Sequence, residues 1–181
     1  DVLVDPEGYL FDSLTGELID GAIVTMIDEE TGEPAAMVYG DDGISAYPNT
    51  VVSGTSATDA SGQVYQFSPG NFRFPLAPKG FYRLRVTPPA GYRGPSVVAP
   101  ADLAKLSGPP GAFRISDASY GGKFELATPE PVYIDIPLDS TTRVNALVGN
   151  PVLQKTASVR DASPGEFIQY RLDVSNALDA P

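Results

Sequence analysis

The sequence predicts an all-β protein, and three observations carry that prediction. Its 18 Gly and 18 Pro in 181 residues punctuate the chain too often for long helices. Its apolar residues, 42% of the total, recur with the period of two that places alternate side chains on one sheet face. Clusters of Gly, Asp, Ser and Pro separate these runs at short intervals, as hairpins and sandwich turns require.

The elements follow in chain order. A first strand over Val2–Phe11 is interrupted by "DPEG", and "DSLTGE" (Asp12–Glu17) turns the chain. "GAIVTMID" places Ala22, Val24 and Met26 in one row and Ile23, Thr25 and Ile27 in the other, the pattern of a strand buried on both faces. "EETGEP" turns again, and "AAMVYG" offers a short strand. Asp41–Thr58 has little apolar periodicity and reads as a long loop, after which "TDASGQVYQF" turns into a strand. "NFRFPL" aligns Phe72, Phe74 and Leu76, and "GFYRLRVT" aligns Tyr82, Leu84 and Val86 against Arg83, Arg85 and Thr87, both half-buried antiparallel strands. "PADLAKLSG" is the single helix signal, with Pro near its start, Gly at its end and room for two turns at most. "KFELAT" and "PVYIDIPLD" close the domain, the latter aligning Val132, Ile134, Ile136 and Leu138. The expected organisation is a domain over 1–139, a linker over 140–149 and an extended β segment over 150–181.

Composition excludes whole classes of chemistry. The chain has 23 acidic and 12 basic residues, a net charge of −11, and its Lys and Arg are scattered along the sequence, so nucleic acid and anionic membrane surfaces are poor partners. With no His and no Cys it has no Ser-His-Asp triad, Cys-His pair or typical zinc site. No phosphate-binding Gly-rich loop is present, and the acidic residues sit mostly in Gly-containing turns. The expectation is a protein that is not an enzyme. No apolar run reaches the roughly 20 residues of a membrane-crossing helix. The first residue is Asp1, from which a processed or trimmed product is expected.

"GYLFDSLTGELIDGAIVTMIDEETGEP", "TDASGQ", "FRFPLAPKGFYRLRVTPPAGY" and "VYIDIPLD" together resemble a prealbumin-like module of bacterial surface proteins, akin to Cna-B, SdrD B-like and carboxypeptidase regulatory-like domains. The resemblance covers Gly8–Asp139, with insertions at Ala35–Ala57 and Val97–Pro129. "VLQKTASVRDASPGEFIQYRLDVSN" resembles the opening of a DUF11-type extracellular repeat. These resemblances imply a prealbumin-like (Ig-like) antiparallel β-sandwich with loop insertions, followed by a partial DUF11-like segment. They also imply a non-catalytic structural module of a secreted or cell-surface protein: the stalk or spacer of an adhesin, or a subunit of an extracellular filament. Neighbouring modules or identical subunits are the implied partners, with the two insertions as the places for added contacts. Some relatives carry a Lys–Asn isopeptide bond, but the first strand here has no Lys, and Lys155 lies in the second module.

Calcium is the one cofactor candidate. SdrD B-like relatives bind it, and the ligands on offer are oxygens that suit a hard cation. The candidate ligands are Asp28 in "DEETGE", Asp41 and Asp42 in "GDDG" and Asp59 in "TDASG"; the competing reading is that each shapes a turn. The alternative function is a carbohydrate- or ligand-binding accessory module, with Tyr39, Tyr47, Tyr65, Tyr92 and Tyr120 in or near loops as its aromatic platform. Finally, Ile168, Tyr170, Leu172 and Val174 alternate along a strand near the end of the chain. Such a strand either belongs to a longer module or completes another sandwich by strand addition, its four apolar side chains filling pockets there.

Overall fold

A computed structural model describes residues 3–142, 152–157 and 170–175, with side chains over 5–142. The chain divides into two compact units, Asp1–Ser140 and Thr141–Pro181. The first begins with β1 (Leu3–Val4), β2 (Pro6–Asp12), β3 (Ile23–Asp28), β4 (Thr50–Val52), β5 (Ser56–Thr58) and β6 (Val64–Gln66). It continues with β7 (Asn71–Arg73), β8 (Ala77–Pro78), β9 (Gly80–Thr87), β10 (Tyr92–Arg93) and the one-turn helix α1 (Pro100–Leu103). The hairpin β11 (Ser107–Gly108) and β12 (Gly111–Ala112), a 3-10 turn at Asp117–Tyr120, β13 (Lys123–Leu126), β14 (Val132–Tyr133) and β15 (Ile136–Ser140) complete it. The second unit contains β16 (Val152–Ala157) and β17 (Tyr170–Ser175), paired antiparallel from Val152–Ser175 to Ala157–Tyr170. The late strand therefore has its partner upstream in the same unit.

Two sheets carry the first unit. One is antiparallel in the order β13-β9-β3-β4; the other centres on β2, with β7 antiparallel to it and β14 and β15 parallel to it, and β10 beyond β15. Their inner faces share one core, in which Leu10, Val24, Met26, Phe72, Phe74, Leu84, Ile134 and Leu138 are almost fully buried. The fold is all-β with sandwich-like layering. The alternations in β7 and β9 hold: Phe72, Phe74, Tyr82 and Leu84 point inward while Arg83, Arg85 and Thr87 are exposed. In β3 the expected double burial is partial, because Thr25 and Ile27 are buried while Ile23 is 41% exposed at the end of the outer row.

Two sequence expectations are corrected and a third is narrowed. The break expected at "DPEG" is confined to Asp5, which separates β1 from β2; β2 then runs from Pro6 through Gly8 to Asp12. "AAMVYG" forms no strand; Tyr39 makes only isolated bridges, to Ala46 and Leu76. Asp41–Thr58 is not one long loop, because it contains β4, which adds to the sheet through Val51 opposite Val24, and β5, which pairs with β6. Short, polar-flanked strands of three residues leave too little alternation to detect. The second insertion packs on its own domain: Leu103 and Phe113 are buried with Phe11, whose ring stacks on Phe113 at 3.7 Å. This patch covers the outer face of β2, so Leu10 and Phe11 are buried on opposite sides of one strand.

The central pairing has an unusual register feature. Val132 lies opposite Pro6 and Ile136 opposite Leu10, so β14 and β15 form one interrupted strand in a single register beside β2. At the interruption the Ile134 carbonyl crosses over Gly8, where a Cβ would lie 1.8 Å from that oxygen. Only a residue without a Cβ permits this approach. Gly8→Ala should therefore cost about 3 kcal/mol, the upper range for overpacking, and lower the melting temperature by roughly 10 °C. Deleting residues 43–56 removes β4 with its buried Val51. That deletion should abolish cooperative unfolding in a thermal melt.

Candidate functional site

The most heavily built polar region is the junction between β2 and the returning strand β14–β15. Read along the sequence, Asp135 and Asp139 fall on the outward side of that strand, where solvent exposure is the ordinary expectation. Both are instead buried, at 0% and 3% exposure, because the Val97–Pro129 insertion lies over that face. A buried carboxylate must be fully hydrogen-bonded to be tolerated, and these two are.

Asp135 fills the gap in the ladder. Val132 N–H donates to Asp5 O and Ile134 N–H to Glu7 O, both at 2.9 Å, but the next donor, Tyr9 N–H, reaches the Asp135 Oδ1 carboxylate oxygen at 3.0 Å. Asp135 Oδ2 accepts the Arg114 N–H at 2.7 Å and its guanidinium Nε at 3.1 Å, while the Asp135 N–H donates back to Arg114 O. The guanidinium lies 4.0 Å from the centre of the Tyr133 ring. One side chain thus replaces a missing main-chain acceptor and ties the insertion to the central strand.

Asp139 closes the other end. Its Oδ1 accepts the Ser13 and Ser96 hydroxyls, each at 2.6 Å, and its Oδ2 accepts the Val97 N–H at 2.9 Å. Beside it the Ser13 N–H donates to Leu138 O at 2.9 Å. Burial penalises the charge of Asp139, but the hydrogen bonds from Ser13, Ser96 and Val97 outweigh that penalty and hold its pKa below the ordinary carboxylate value.

Three of the four calcium candidates have a common local role. Asp28 Oδ1 accepts the N–H groups of Glu30 and Thr31, and Asp42 Oδ1 accepts those of Ile44 and Ser45. Asp59 Oδ1 accepts the N–H groups of Ser61 and Gln63. These are turns in which a side chain stands in for a backbone acceptor. Asp12 does the same with Leu14 and Thr15, so "DSLTGE" and "DEETGE" are two copies of one turn. Asp41 differs: it pairs with Arg73 at 2.8 Å, and Arg73 also pairs with Asp5 at 2.8 Å. Burial pushes Asp5 above its ordinary value against the pull of Arg73. Asp41 and Asp59 meet around one hydroxyl, as Tyr65 OH donates to Asp59 Oδ2 at 3.0 Å and accepts the Asp41 N–H at 2.9 Å. Asp28 lies in a separate turn. Among the described residues no three acidic, His or Cys side chains gather into a metal-holding set.

The expected aromatic platform is differently placed. Tyr47 and Tyr65 are buried, at 5% and 8% exposure, and pack edge to face in the core. Among the residues whose side chains are described, the exposed rings are Phe81 and Tyr133. Phe81 lies in an open cleft of about 430 Å³ lined by Asp28, Glu29, Glu30, Lys79 and Lys123. The Lys123 ammonium stands 5.3 Å from the Phe81 ring centre. The basic residues, scattered in sequence, are partly gathered by the sheet: Lys123 lies directly opposite Arg83, and Arg85 follows on the same exposed face. Of the strand-addition residues, Ile168 lies outside the described residues; Tyr170, Leu172 and Val174 lie in β17, opposite Ala157, Lys155 and Leu153.

The Asp139 geometry yields a pH prediction. Its folded pKa is below the ordinary aspartate value of 3.8, so its contribution is complete above that value and is lost as pH falls through the folded pKa. In Asp139→Asn an amide donor faces the Val97 N–H or the two hydroxyls, at a cost of about 2 kcal/mol at pH 7. Denaturant titrations should show this difference narrowing as pH falls below about 4, where Asp139 in the unfolded chain takes up a proton before the folded carboxylate does.

No protein-family model matches this chain, and no curated protein matches it.

Proposed function

We propose that the first unit is a non-catalytic, tension-bearing spacer module of a secreted or cell-surface protein, as the prealbumin-like resemblance implies. The observation that carries this reading is the parallel pairing of β2 with β14–β15. The N-terminal end of β2 lies at Pro6 and the C-terminal end of β15 at Ser140, at opposite ends of the paired strands. Traction on the two ends therefore drives neighbouring strands past each other along their length. All the bonds between them are loaded together, whereas an antiparallel hairpin pulled at its open end yields one bond at a time. The ladder, the Asp135 clamp and the Asp139 clamp all lie across this junction. Burial of their carboxylates keeps water from competing for those bonds.

In this reading the second unit supplies the opening hairpin of a following DUF11-like module, with β17 available to a receiving sheet at its other edge. Adjacent modules of the same protein are the partners, the compartment is extracellular, and no cofactor is needed for the load-bearing role.

The chain has no Cys, so pulling handles attach only where Cys is introduced. Handles at Asp1 and Thr141 should require several-fold more force to unfold the unit than handles at Thr31 and Lys79, which flank the adjacent ends of antiparallel β3 and β9. Asp135→Ala should lower the first force and leave the second nearly unchanged. Equal forces in the two geometries would sink the proposal.

A further inference from the structure

The four-stranded sheet is bounded by β4 and β13. Beyond β4 the chain crosses to the other sheet, with Ser53 N–H donating to Ala22 O and Gly54 N–H to Asn71 O. At the far side, β13 pairs with β9 alone, and among the described residues no backbone group bonds to its outer edge. Unpaired strand edges of this kind are templates for another strand.

The hydrogen-bond phase fixes which groups are on offer. Glu29 N–H donates to Phe81 O at 3.0 Å, so the polar groups of Phe81 face β3. Direction alternates along a strand, so those of Tyr82 and Gly80 face β13, where they meet Phe124 and Leu126. The N–H and C=O groups of Lys123 and Glu125 therefore point out of the sheet edge. Their side chains are both exposed on its outer face, while Phe124 between them is half-buried against the core.

This three-residue edge is complementary to itself. An antiparallel copy can pair through these outward groups in three registers. Lys123 against Lys123 and Glu125 against Glu125 both set like charges directly opposite, which is destabilising. The third register, centred on Phe124, sets Lys123 against Glu125 of the second copy and Glu125 against its Lys123. It forms four backbone hydrogen bonds and brings the two Phe124 positions together at the two-fold axis. It also offsets a cost inside each copy, where Lys123 already faces Arg83 across the β13–β9 pair.

We infer that the β13 edge is a homodimerisation surface, at which two copies join antiparallel about Phe124 into one continuous eight-stranded sheet. A contact of two strands this short is small, so the association is weak and reversible. A two-fold contact of this type closes on itself and gives a dimer, not a filament.

Sedimentation of the full chain from about 10 μM to about 1 mM, the range of affinity expected for a small interface, should show a monomer–dimer equilibrium. Lys123→Glu and Glu125→Lys each convert both ion pairs to like-charge pairs, and each should weaken the dimer at least tenfold. The double variant K123E/E125K should restore it. Mixing the two single variants should produce a heterodimer, because one then offers two carboxylates and the other two ammonium groups in matching register. Both sites are exposed, and unchanged thermal melts establish that the variants fold. A wild type that stays monomeric at about 1 mM, single variants that dimerise like the wild type, or a mixture that does not associate would each overturn the inference.

Discussion

The structure depends on a parallel contact between the first long strand and the last strands of the same unit. Parallel neighbours cannot be joined by a short turn, so everything between Asp12 and Val132 is in effect one crossover. That crossover must supply a second sheet to cover the inner face of β2 and a patch to cover its outer face. The four-stranded sheet does the first. The insertion with Leu103 and Phe113 does the second, stacking Phe113 on Phe11. Coverage on both sides is what a strand paired in parallel ordinarily needs.

Covering the outer face then creates a requirement of its own. It buries Asp135 and Asp139, and a buried carboxylate without partners costs several kcal/mol. The chain answers with donors from three places: β2 and the residue after it give the Tyr9 N–H and Ser13 hydroxyl, the segment after β10 gives Ser96 and Val97, and the insertion gives Arg114. The two carboxylates thereby become side-chain cross-links among these segments, added to the main-chain bonds that β15 makes with β2 and β10. Gly8 belongs to the same constraint, since the Ile134 carbonyl passes through the space a side chain would fill.

Much of the fold was legible because alternation is a local property. Phe72 with Phe74 and Tyr82 with Leu84 announce their strands and their buried faces without reference to any partner. Pairing direction is not local, and "VYIDIPLD" reads the same beside a parallel or an antiparallel neighbour. Nor is the covering of a face local: Asp135 and Asp139 take the side of that strand opposite its apolar row, and only the residues that fold over them, Ser96, Val97 and Arg114, make them buried. β4 escaped notice because three residues carry too little pattern. The turn role of Asp28, Asp42 and Asp59 was readable from the Gly and Ser that follow them. The burial of Tyr47 and Tyr65 was not, because the Pro and Gly around them mark loops whether those loops lie on the surface or fold inward.

The fixed separation of 126 residues between partners such as Tyr9 and Asp135 also governs when this unit can form. A ribosome making about 5 to 20 residues per second needs roughly 6 to 25 s to deliver the second strand after the first. Throughout that interval Tyr9, Leu10 and Phe11 have no parallel neighbour, and the loop to be closed is among the longest a single unit of this size allows. Closure comes late and carries the entropic barrier of the whole crossover, placing such a chain at the slow end of the folding scale. Assembly of this unit therefore ends with the same contact that holds it together once formed.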